Sequence, residues 1–550
     1  ARGDHGDLRK GGIRESSGFS RARARGIIAL MLAPTREELD RLNESQLRDL
    51  ASNLIAEIRL KQTLIDKLTF EMRTLKRLRF AAKSERLDSP QRSLLEEDLD
   101  ADLQALAQEI EALQPKGSPD TKNKQPAERK TPKRQALPPE LPRREIRHEP
   151  LSTTCSCGCA LKRIGEESSE KLDYTPGEFT VERHIRGKWA CGKCATLTQA
   201  PVPAHVIDKG LPTAGLLAQV IVAKYLDHLP LYRQESVFAR AGYALARSTM
   251  AQWVGAVGLQ LMPLVQAMRE RLLSLPVLHA DETPVSMLAP GQGKTHRAYL
   301  WSYCSTAYSP VRAVVFDFAD SRSGKNAGRF LGFDDERRQS GWCGKLVCDD
   351  FSGYKHLFPL GVGEAGCLAH ARRKFFDLWA AHKSVVAEQA LAFFRGLYDV
   401  EAQLDGVDQA DARRRYRQDH ARPLADKFHK WLQVQRQLVP NGSATAKAID
   451  YSLKRWGALT RYIDDGDLPA DNNRIENLIR PIAIGRSNWL FAGSLRAGQR
   501  AAAIMSVLHT ARINGHEPFA YLKDVLERLP SQPASRIDEL LPYHWQPATP

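Results

Sequence analysis

The sequence predicts a multidomain α+β protein whose core is an α/β sheet. Two observations predict this class: a long helical pattern precedes a cysteine cluster, and strand-like apolar segments follow at 298–304, 311–318 and 344–350. A helix-like segment at 323–331 precedes the last of these strands. With the apolar run that ends at Asp281, the order is strand, strand, strand, helix, strand, which outlines a ribonuclease-H-like core.

Composition points to a polyanionic partner. Lys and Arg number 80 against 65 Asp and Glu, which gives the 550-residue chain a formal net charge of +15. This excess suits DNA or RNA. No apolar run approaches the roughly 20 residues of a membrane helix, so no membrane span is expected. The odd count of nine cysteines and the missing signal peptide favour a reducing cytoplasm.

The N-terminal part is predicted to be helical after a short disordered segment. Residues 1–30 are rich in Gly and Arg and precede the first Met, so we expect them to be disordered and not native. Residues 31–113 carry apolar positions at helical spacing, which fits either a helical hairpin or a self-associating coiled coil. Residues 114–150 hold eight Pro and ten Lys or Arg, so they are predicted to be a disordered basic linker.

A cysteine-rich segment, 151–205, is predicted to bind zinc. Short cysteine turns supply pairs of thiolates, and tetrahedral Zn²⁺ needs four such soft ligands. Cys191 and Cys194 form a regular pair. The other half is irregular, because three cysteines alternate with single residues. The candidate ligands are Cys155, Cys157, Cys191 and Cys194, with Cys159 as an alternate.

Residues 206–270 read as helices with a helix-turn-helix-like pattern. The helical segment that ends at Gly242 is followed by a new helix at Ser248, and Gly is suited to the tight turn between them. Any helical hairpin shows the same pattern. The segment is therefore a candidate DNA-binding region and equally a packing element.

The predicted core spans 271–376 and 466–512, separated by an all-helical insertion at 377–465 and followed by a short C-terminal region, 513–550. Acids stand where its first and fourth strands end, at Asp281 and at Asp349 or Asp350. A third carboxylate, Glu476, lies on a predicted later helix. Within the insertion, the arginines at 413–415 and 417 could contact DNA or form a solvated helix face.

Five ordered segments carry a specific resemblance. Together with the helical N-terminus, the cysteine segment and the C-terminal region, they resemble bacterial transposases of the insertion-sequence-66 type. The segments are LHADETPV (278–285), DDFSGY (349–354), GCLAHARRKF (366–375), DNNRIENLIRP (471–481) and IGRSNWLFAGS (484–494).

The resemblance implies a DDE transposase in which Asp281, Asp349 and Glu476 bind the catalytic metal. The chain departs from the family twice: Asp350 stands where a Gly is usual, and Thr154 replaces a cysteine of the first pair. The register of the Gly-Tyr pair at 353–354 favours Asp349 over Asp350.

The residue chemistry agrees with this implication. Phosphodiester cleavage needs an activated water or 3′-hydroxyl and a stabilised leaving oxygen, and two Mg²⁺ or Mn²⁺ ions held by carboxylates supply both. The insertion lengthens the gap between the second and third acids to 126 residues. The candidate DNA contacts are Arg372, Arg373, Lys374, Arg474, Arg480, Arg486 and Trp489.

The expected protein is a cytoplasmic, nucleoid-associated transposase. It would bind its element's terminal inverted repeats and target DNA as at least a dimer, and the resemblance suggests small accessory proteins of the same element. Two alternatives stay open. One is a ribonuclease-H-fold nuclease or resolvase that cuts without joining, and the other is a catalytically inactive DNA-binding regulator.

Overall fold

The structure is a computed structural model that describes residues 43–81, 89–114, 137–139, 141–150, 152–175, 177–207, 210–289, 294–333 and 341–547. The predicted disordered segment 1–30 lies outside these residues. The chain divides into two compact units after Thr69, and the second contains every element from residue 70 onward. Among the described residues, no helix is both long and apolar enough to cross a membrane.

Helices dominate, and two small sets of strands interrupt them. The helices are α1 (Glu44–Ala81), α2 (Ser89–Leu113), α3 (Ala214–Tyr225), α4 (Leu231–Arg240), α5 (Arg247–Gln260), α6 (Met262–Leu273), α7 (Gly324–Phe330), α8 (Leu368–His382), α9 (Val385–Ala402), α10 (Ala410–Leu438), α11 (Ala444–Lys454), α12 (Trp456–Asp464), α13 (Asn473–Trp489), α14 (Leu495–Ile513) and α15 (Pro518–Arg528). The strands are β1 (Arg143–His148), β2 (Leu161–Thr175), β3 (Glu178–Cys191), β4 (Leu197–Gln199), β5 (Val277–Ala289), β6 (Lys294–Ser305), β7 (Val314–Ala319), β8 (Lys345–Cys348) and β9 (Gly363–Gly366).

The first sheet corrects the predicted linker. Its strands run in the order β1-β3-β2, with β4 paired to the other part of β3. Strand β1 lies inside 114–150, which was expected to be disordered throughout, and it pairs in parallel with β3. The linker prediction was wrong for 143–148. Composition alone does not show that β3 has unpaired backbone groups with which this segment can pair.

The helix-turn-helix-like pair forms, but its second helix is packed on nearly every side. Gly242 takes a positive φ of 91° in the turn, as the sequence suggested. Helix α5 exposes only Gln252 and Gln260. A Cβ added at Gly255 would lie 2.2 Å from the Ala101 carbonyl oxygen of α2, so the two helices touch through backbone. These contacts support the packing alternative for most of α5, whereas its first turn, residues 247–249, is half-buried, so DNA contact by that turn stays a prediction.

The second sheet has the order β7-β6-β5-β8-β9. Strands β5, β6 and β7 pair antiparallel, whereas β8 pairs in parallel with both β5 and β9. The predicted strands correspond to β6, β7 and β8, and the helix at 323–331 corresponds to α7. The fifth strand, β9, was missed because four residues containing two glycines give little strand signal.

Helix α14 closes the open edge of this sheet at β7. The hydroxyls of Ser506 and Thr510 accept hydrogen bonds from the backbone N–H groups of Phe316, at 2.8 Å, and Val314, at 3.1 Å. An uncovered edge strand would leave such donors free to pair with another chain. The helix therefore satisfies β7 with side chains where a further strand would use its backbone.

The region between β9 and α13 is helical and has its own apolar core, which includes Phe375, Phe394 and Phe428. Arg413 and Arg417 are buried there, at 1% and 0% exposure. Arg417 donates to the backbone oxygens of Tyr462 and Leu468 and pairs with Glu401. These two arginines therefore neither contact DNA nor form a solvated face, because their side chains are buried inside the helical bundle.

Candidate active site

Two acids come together because β5 and β8 run in parallel. The register pairs Leu278 with Leu346 and His279 with Val347. Two residues further along, this register leads to Asp281 within β5 and to Asp349 directly after the end of β8. Side chains two apart on a strand share one face, so both carboxylates are directed to the face on which His279 lies.

The Asp350 side chain forms salt bridges. Its carboxylate lies 3.0 Å from the Lys355 ammonium and 3.6 Å from the Arg455 guanidinium. Arg455 also pairs with Glu364 at 2.6 Å and donates to the Asp349 carbonyl oxygen at 3.2 Å. Of the two candidates, Asp349 is therefore the one whose carboxylate is left for the site.

Helix α13 brings Glu476 to the same face. Glu476 lies in the first turn of the helix, where the helix dipole favours a negative charge. Its carboxylate lies 3.6 Å from His370 Nδ1 and 3.5 Å from Arg373 Nη2, both on α8. Its Oε1 is buried with no hydrogen-bond partner, which is unusual for a carboxylate. A cation ligand would supply that partner.

Electrostatics tie the three acids into one site. Burial, and after it the negative charges of Glu282, Asp349 and Glu476, together raise the pKa of Asp281 to about 8. A backbone N–H from Glu282 at 2.9 Å opposes this rise. Arg373 and Arg322 pair with Glu476 and Glu282, whereas neither Asp281 nor Asp349 forms a salt bridge among the described residues. Such a group of acids fits a divalent cation, and oxygen ligands suit Mg²⁺.

Asn472 fixes the distance between the strand and the helix. Its side-chain amide donates to the Ala280 carbonyl oxygen at 2.9 Å and accepts from His279 Nδ1 at 2.8 Å. Its backbone N–H donates to Cys367 Sγ at 3.2 Å. Burial lowers the pKa of His279 to about 4, so this imidazole is neutral and serves as a packed hydrogen-bond donor.

Glu282 and Tyr354 brace the other face of β5. The Glu282 carboxylate accepts from the Tyr354 hydroxyl at 2.7 Å and pairs with Arg322 at 2.5 Å. Tyr354 follows the Asp349 loop, so this bond ties the loop to β5. No role was predicted from the sequence for Glu282, Arg322 or Asn472. Only the Gly-Tyr pair at 353–354 hinted at this support.

The predicted DNA contacts separate into two groups. Arg372, Arg373, Lys374 and Arg480 are exposed, and Arg373 reaches Glu476. The other three are engaged by the fold: Arg474 donates to the Ser305 carbonyl oxygen at 2.8 Å, Arg486 donates to the Pro284 carbonyl oxygen, and Trp489 lines an internal cavity with Tyr225 and His228.

The cysteines form a separate site at one end of the first sheet. The thiols of Cys155, Cys157, Cys191 and Cys194 all lie within 4.8 Å of one another, and Cys159 is not in this group. Three sulfur pairs lie 3.3, 3.7 and 3.8 Å apart, close to the spacing of about 3.8 Å that four sulfurs take around tetrahedral Zn²⁺. A hydrogen bond with the Thr196 hydroxyl lowers the pKa of Cys194 to about 6, which favours the thiolate. The donor set fits structural zinc.

A second mixed group lies beside the acids. Cys367, His370 and Glu476 offer sulfur, nitrogen and oxygen atoms within 4.8 Å of one another. Burial raises the pKa of the Cys367 thiol to about 12, so this sulfur is protonated and accepts a hydrogen bond from Asn472. The group therefore supports the position of Glu476.

Four family models match the chain. The "Transposase IS66 family" matches residues 209–500, and the "IS66 C-terminal element" matches 506–543. The "zinc-finger binding domain of transposase IS66" matches 152–195, which contains the four clustered cysteines. "Transposase C of IS166 homeodomain" matches 67–146. The homeodomain match thus lies before the helix-turn-helix-like pair, and it includes α2 and the first four residues of β1.

Full-length relatives occur in Sinorhizobium fredii (strain NBRC 101917 / NGR234). "Uncharacterized protein y4jD" is 34% identical over 498 residues, which cover 87% of this chain and 94% of the relative. "Uncharacterized protein y4qI" is 34% identical over 501 residues, or 88% and 89% of the two chains. "Uncharacterized protein y4hP" is 32% identical over 503 residues, or 86% and 88%. With a family model that matches more than half of its length, this chain belongs to the IS66 transposase family.

Proposed function

We propose that this protein cuts the ends of its own insertion sequence and joins the freed 3′-hydroxyls to target DNA. The observation that supports the proposal is that Asp349 and Glu476 lie close enough to Asp281 for their charges to raise its pKa, while the buried Glu476 Oε1 has no hydrogen-bond partner. The order β7-β6-β5-β8-β9, three antiparallel strands followed by two parallel ones, supports a ribonuclease-H-like core.

The three acids would hold Mg²⁺ or Mn²⁺. Bound there, the ions would lower the pKa of the attacking water or hydroxyl and stabilise the leaving oxygen. The protein's own part is to hold three like charges close together in a half-buried place. Asn472, Glu282 and Arg455 do this by fixing α13, β5 and the Asp349 loop to one another.

Arg373 is placed to orient the scissile phosphate. Its guanidinium is exposed on one side and lies 3.5 Å from Glu476 on the other. An arginine can bind a phosphate with two parallel hydrogen bonds, which fixes direction as well as position. Arg372, Lys374 and Arg480 would contact the DNA backbone nearby.

Assembly on DNA would use the N-terminal part and the zinc cluster. Helix α1 exposes Ile55, Ile58 and Leu60, at 50%, 64% and 62%, which supports self-association. Zinc would stabilise the β2–β3 segment as a rigid unit. The chain would then act as at least a dimer that holds both element ends, with target DNA and small accessory proteins as further partners.

The test is a cleavage-and-joining assay with the full chain, Mg²⁺ and DNA that carries the cloned ends of the element. Removing a metal ligand forfeits several kcal/mol of transition-state stabilisation, so Asp281→Asn, Asp349→Asn and Glu476→Gln should each lose on the order of 10³-fold or more in nicking. Asp377→Asn, an exposed acid on α8, is the matched control.

The readouts separate the alternatives. Full nicking in all three acid variants would refute the proposed site. Metal-dependent nicking with no strand-transfer product would select a nuclease or resolvase. End-specific binding without any nicking by the wild type would select a catalytically inactive DNA-binding regulator.

A further inference from the structure

A wide groove lies between α8 and α9, beside the candidate acids. Its volume is about 960 Å³, and it is open to solvent. This is the upper end of the roughly 300–1,000 Å³ range of small-molecule pockets, so the chemistry of the lining and not the size has to identify the ligand. Both walls are helical faces whose lining residues recur at spacings of three and four, from Ala369 to Trp379 and from Glu388 to Tyr398.

The groove is positively charged. Arg372 and Arg373 come from α8 and Arg395 comes from α9, and all three are exposed. Within the described part of the chain, neither Arg372 nor Arg395 forms a salt bridge. Glu388 is the one acid among the described residues that line the groove, and Arg373 is also paired with Glu476. The two arginines without a salt bridge, Arg372 and Arg395, exceed this single glutamate, which suits a phosphate backbone and disfavours an acidic peptide.

Aromatic rings lie among these arginines. Phe376 is 40% exposed, although it sits on a helix that packs into the bundle. The Trp379 ring lies 6.0 Å from the Phe376 ring, with the Lys383 ammonium 3.8 Å above its centroid. The Arg372 guanidinium lies 5.7 Å from the Phe376 ring. Proteins hold single-stranded nucleic acid with this kind of arrangement, in which cationic side chains alternate with aromatic rings.

The groove is continuous with the acids. The Tyr398 hydroxyl donates to Asp471 at 2.8 Å, and the Asn473 side-chain amide donates to the same carboxylate at 2.8 Å. Asn473 begins α13, and Glu476 follows within the same turn. Arg373 lines the groove and also reaches Glu476. A strand that lies in the groove would therefore lead directly to the acids.

We infer that this groove binds unpaired nucleotides of the DNA strand next to the phosphodiester that is cut. The arginines contact the phosphates, and Phe376 and Trp379 stack on bases. The bases are unpaired because those of a duplex are already stacked on each other and offer no free face to a ring. This inference rests on the proposed function and adds a single-strand subsite, formed partly by the helical insertion.

The probe is a fluorescein-labelled 12-nucleotide oligo(dT), whose binding to the full-length protein is followed by anisotropy. Phe376→Leu keeps an apolar side chain but removes the ring, and should weaken binding roughly 5-fold or more. Arg395→Gln should reduce the slope of log affinity against log salt by about 0.7. Both side chains are exposed, so both variants should fold.

Matched controls come from the same insertion. Leu438→Ala changes an apolar residue that is 72% exposed, and Lys430→Gln removes an exposed charge, both on α10. Neither control should change oligo(dT) affinity. A 12-base-pair duplex should be affected less by Phe376→Leu than the single strand is, since it has no free base to stack.

Photochemical cross-linking locates the strand directly. Oligo(dT) with one 5-iodouracil, irradiated on the protein and mapped by mass spectrometry, should attach to peptides that contain Phe376 or Trp379. Cross-links found only outside α8 and α9, or unchanged affinity in both groove variants, would overturn the inference. A groove that takes a protein segment would give that same unchanged affinity.

The two proposals can fail separately. Asp281→Asn should lose cutting but keep oligo(dT) binding. If the wild type never cuts element ends, the proposed function fails whatever the oligonucleotide does. If the wild type cuts and joins while Phe376→Leu and Arg395→Gln bind oligo(dT) normally, only the groove assignment is wrong.

Discussion

Replacing Asn472 with alanine tests how the fold places the third acid. Asn472 is completely buried, and its side chain joins β5 to the start of α13 through Ala280 and His279. Asn472→Ala leaves the His279 Nδ1 and the Ala280 carbonyl oxygen without this partner. Each buried polar group that loses its partner costs about 1–3 kcal/mol, so the pair costs roughly 2–6 kcal/mol.

The effect should be local to the first turn of α13 and large enough to measure. A loss of about 2 kcal/mol or more accelerates amide hydrogen exchange there by at least about 30-fold, since each 1.4 kcal/mol is a factor of ten. A displacement of Glu476 by about 1 Å should also reduce nicking on the order of 10²-fold. The measurements are hydrogen exchange by mass spectrometry and the nicking rate.

The control is Asn477→Ala, an exposed asparagine on the same helix. It should change neither measurement. Unaltered exchange in the first turn of α13, together with wild-type nicking by Asn472→Ala, would refute the reasoning. Faster exchange with unaltered nicking would show that the bond stabilises the helix without positioning its acid.

Three further predictions concern the acids, their support and the zinc cluster. The pKa of Asp281 is raised from 3.8 to about 8 on folding, so the unfolded state loses this proton first as the pH rises. The metal-free protein should therefore lose stability between about pH 4 and pH 8. Asp281→Asn should raise the melting temperature at pH 8, and added Mg²⁺ should stabilise the wild type only. Tyr354→Phe removes a buried hydrogen bond to Glu282, so it should cost about 1–3 kcal/mol in urea unfolding and slow nicking without abolishing it. Cys191→Ser should reduce bound zinc from about one per chain to none by elemental analysis, whereas Cys159→Ser should keep it, and zinc retention in Cys191→Ser would contradict the four-thiol cluster.

Some features could be predicted from local patterns because local physics controls them. Four of the five strands of the second sheet, β5 to β8, were visible as apolar runs, and acids at their ends are what a sheet edge exposes. Helical spacing revealed the insertion, although the pattern did not distinguish outward from inward arginines. Arg413 and Arg417 can be buried because backbone carbonyl oxygens from distant parts of the sequence accept their hydrogen bonds. The bond from Arg417 to the Leu468 carbonyl oxygen is an example.

Other predictions depended on neighbours that the pattern does not contain. Strand β1 exists because β3 offers it a partner, whereas its own composition reads as linker. The sequence of α5 resembles that of a recognition helix, but in the structure α2 packs closely against α5 at Gly255. Arg474 looked free for DNA, but the Ser305 carbonyl oxygen receives it.

The sequence by itself determined the chemistry: three carboxylates, a basic surface and a set of cysteines at spacings that suit zinc. The tertiary structure decided which members of each set lie together. The parallel register aligns Asp349 with Asp281, whereas the Asp350 carboxylate meets Lys355 and Arg455. The sequence shows which residue types are present. Which of them lie close together depends on strand pairing and helix packing between residues far apart in the chain, and these long-range contacts leave no local sequence pattern.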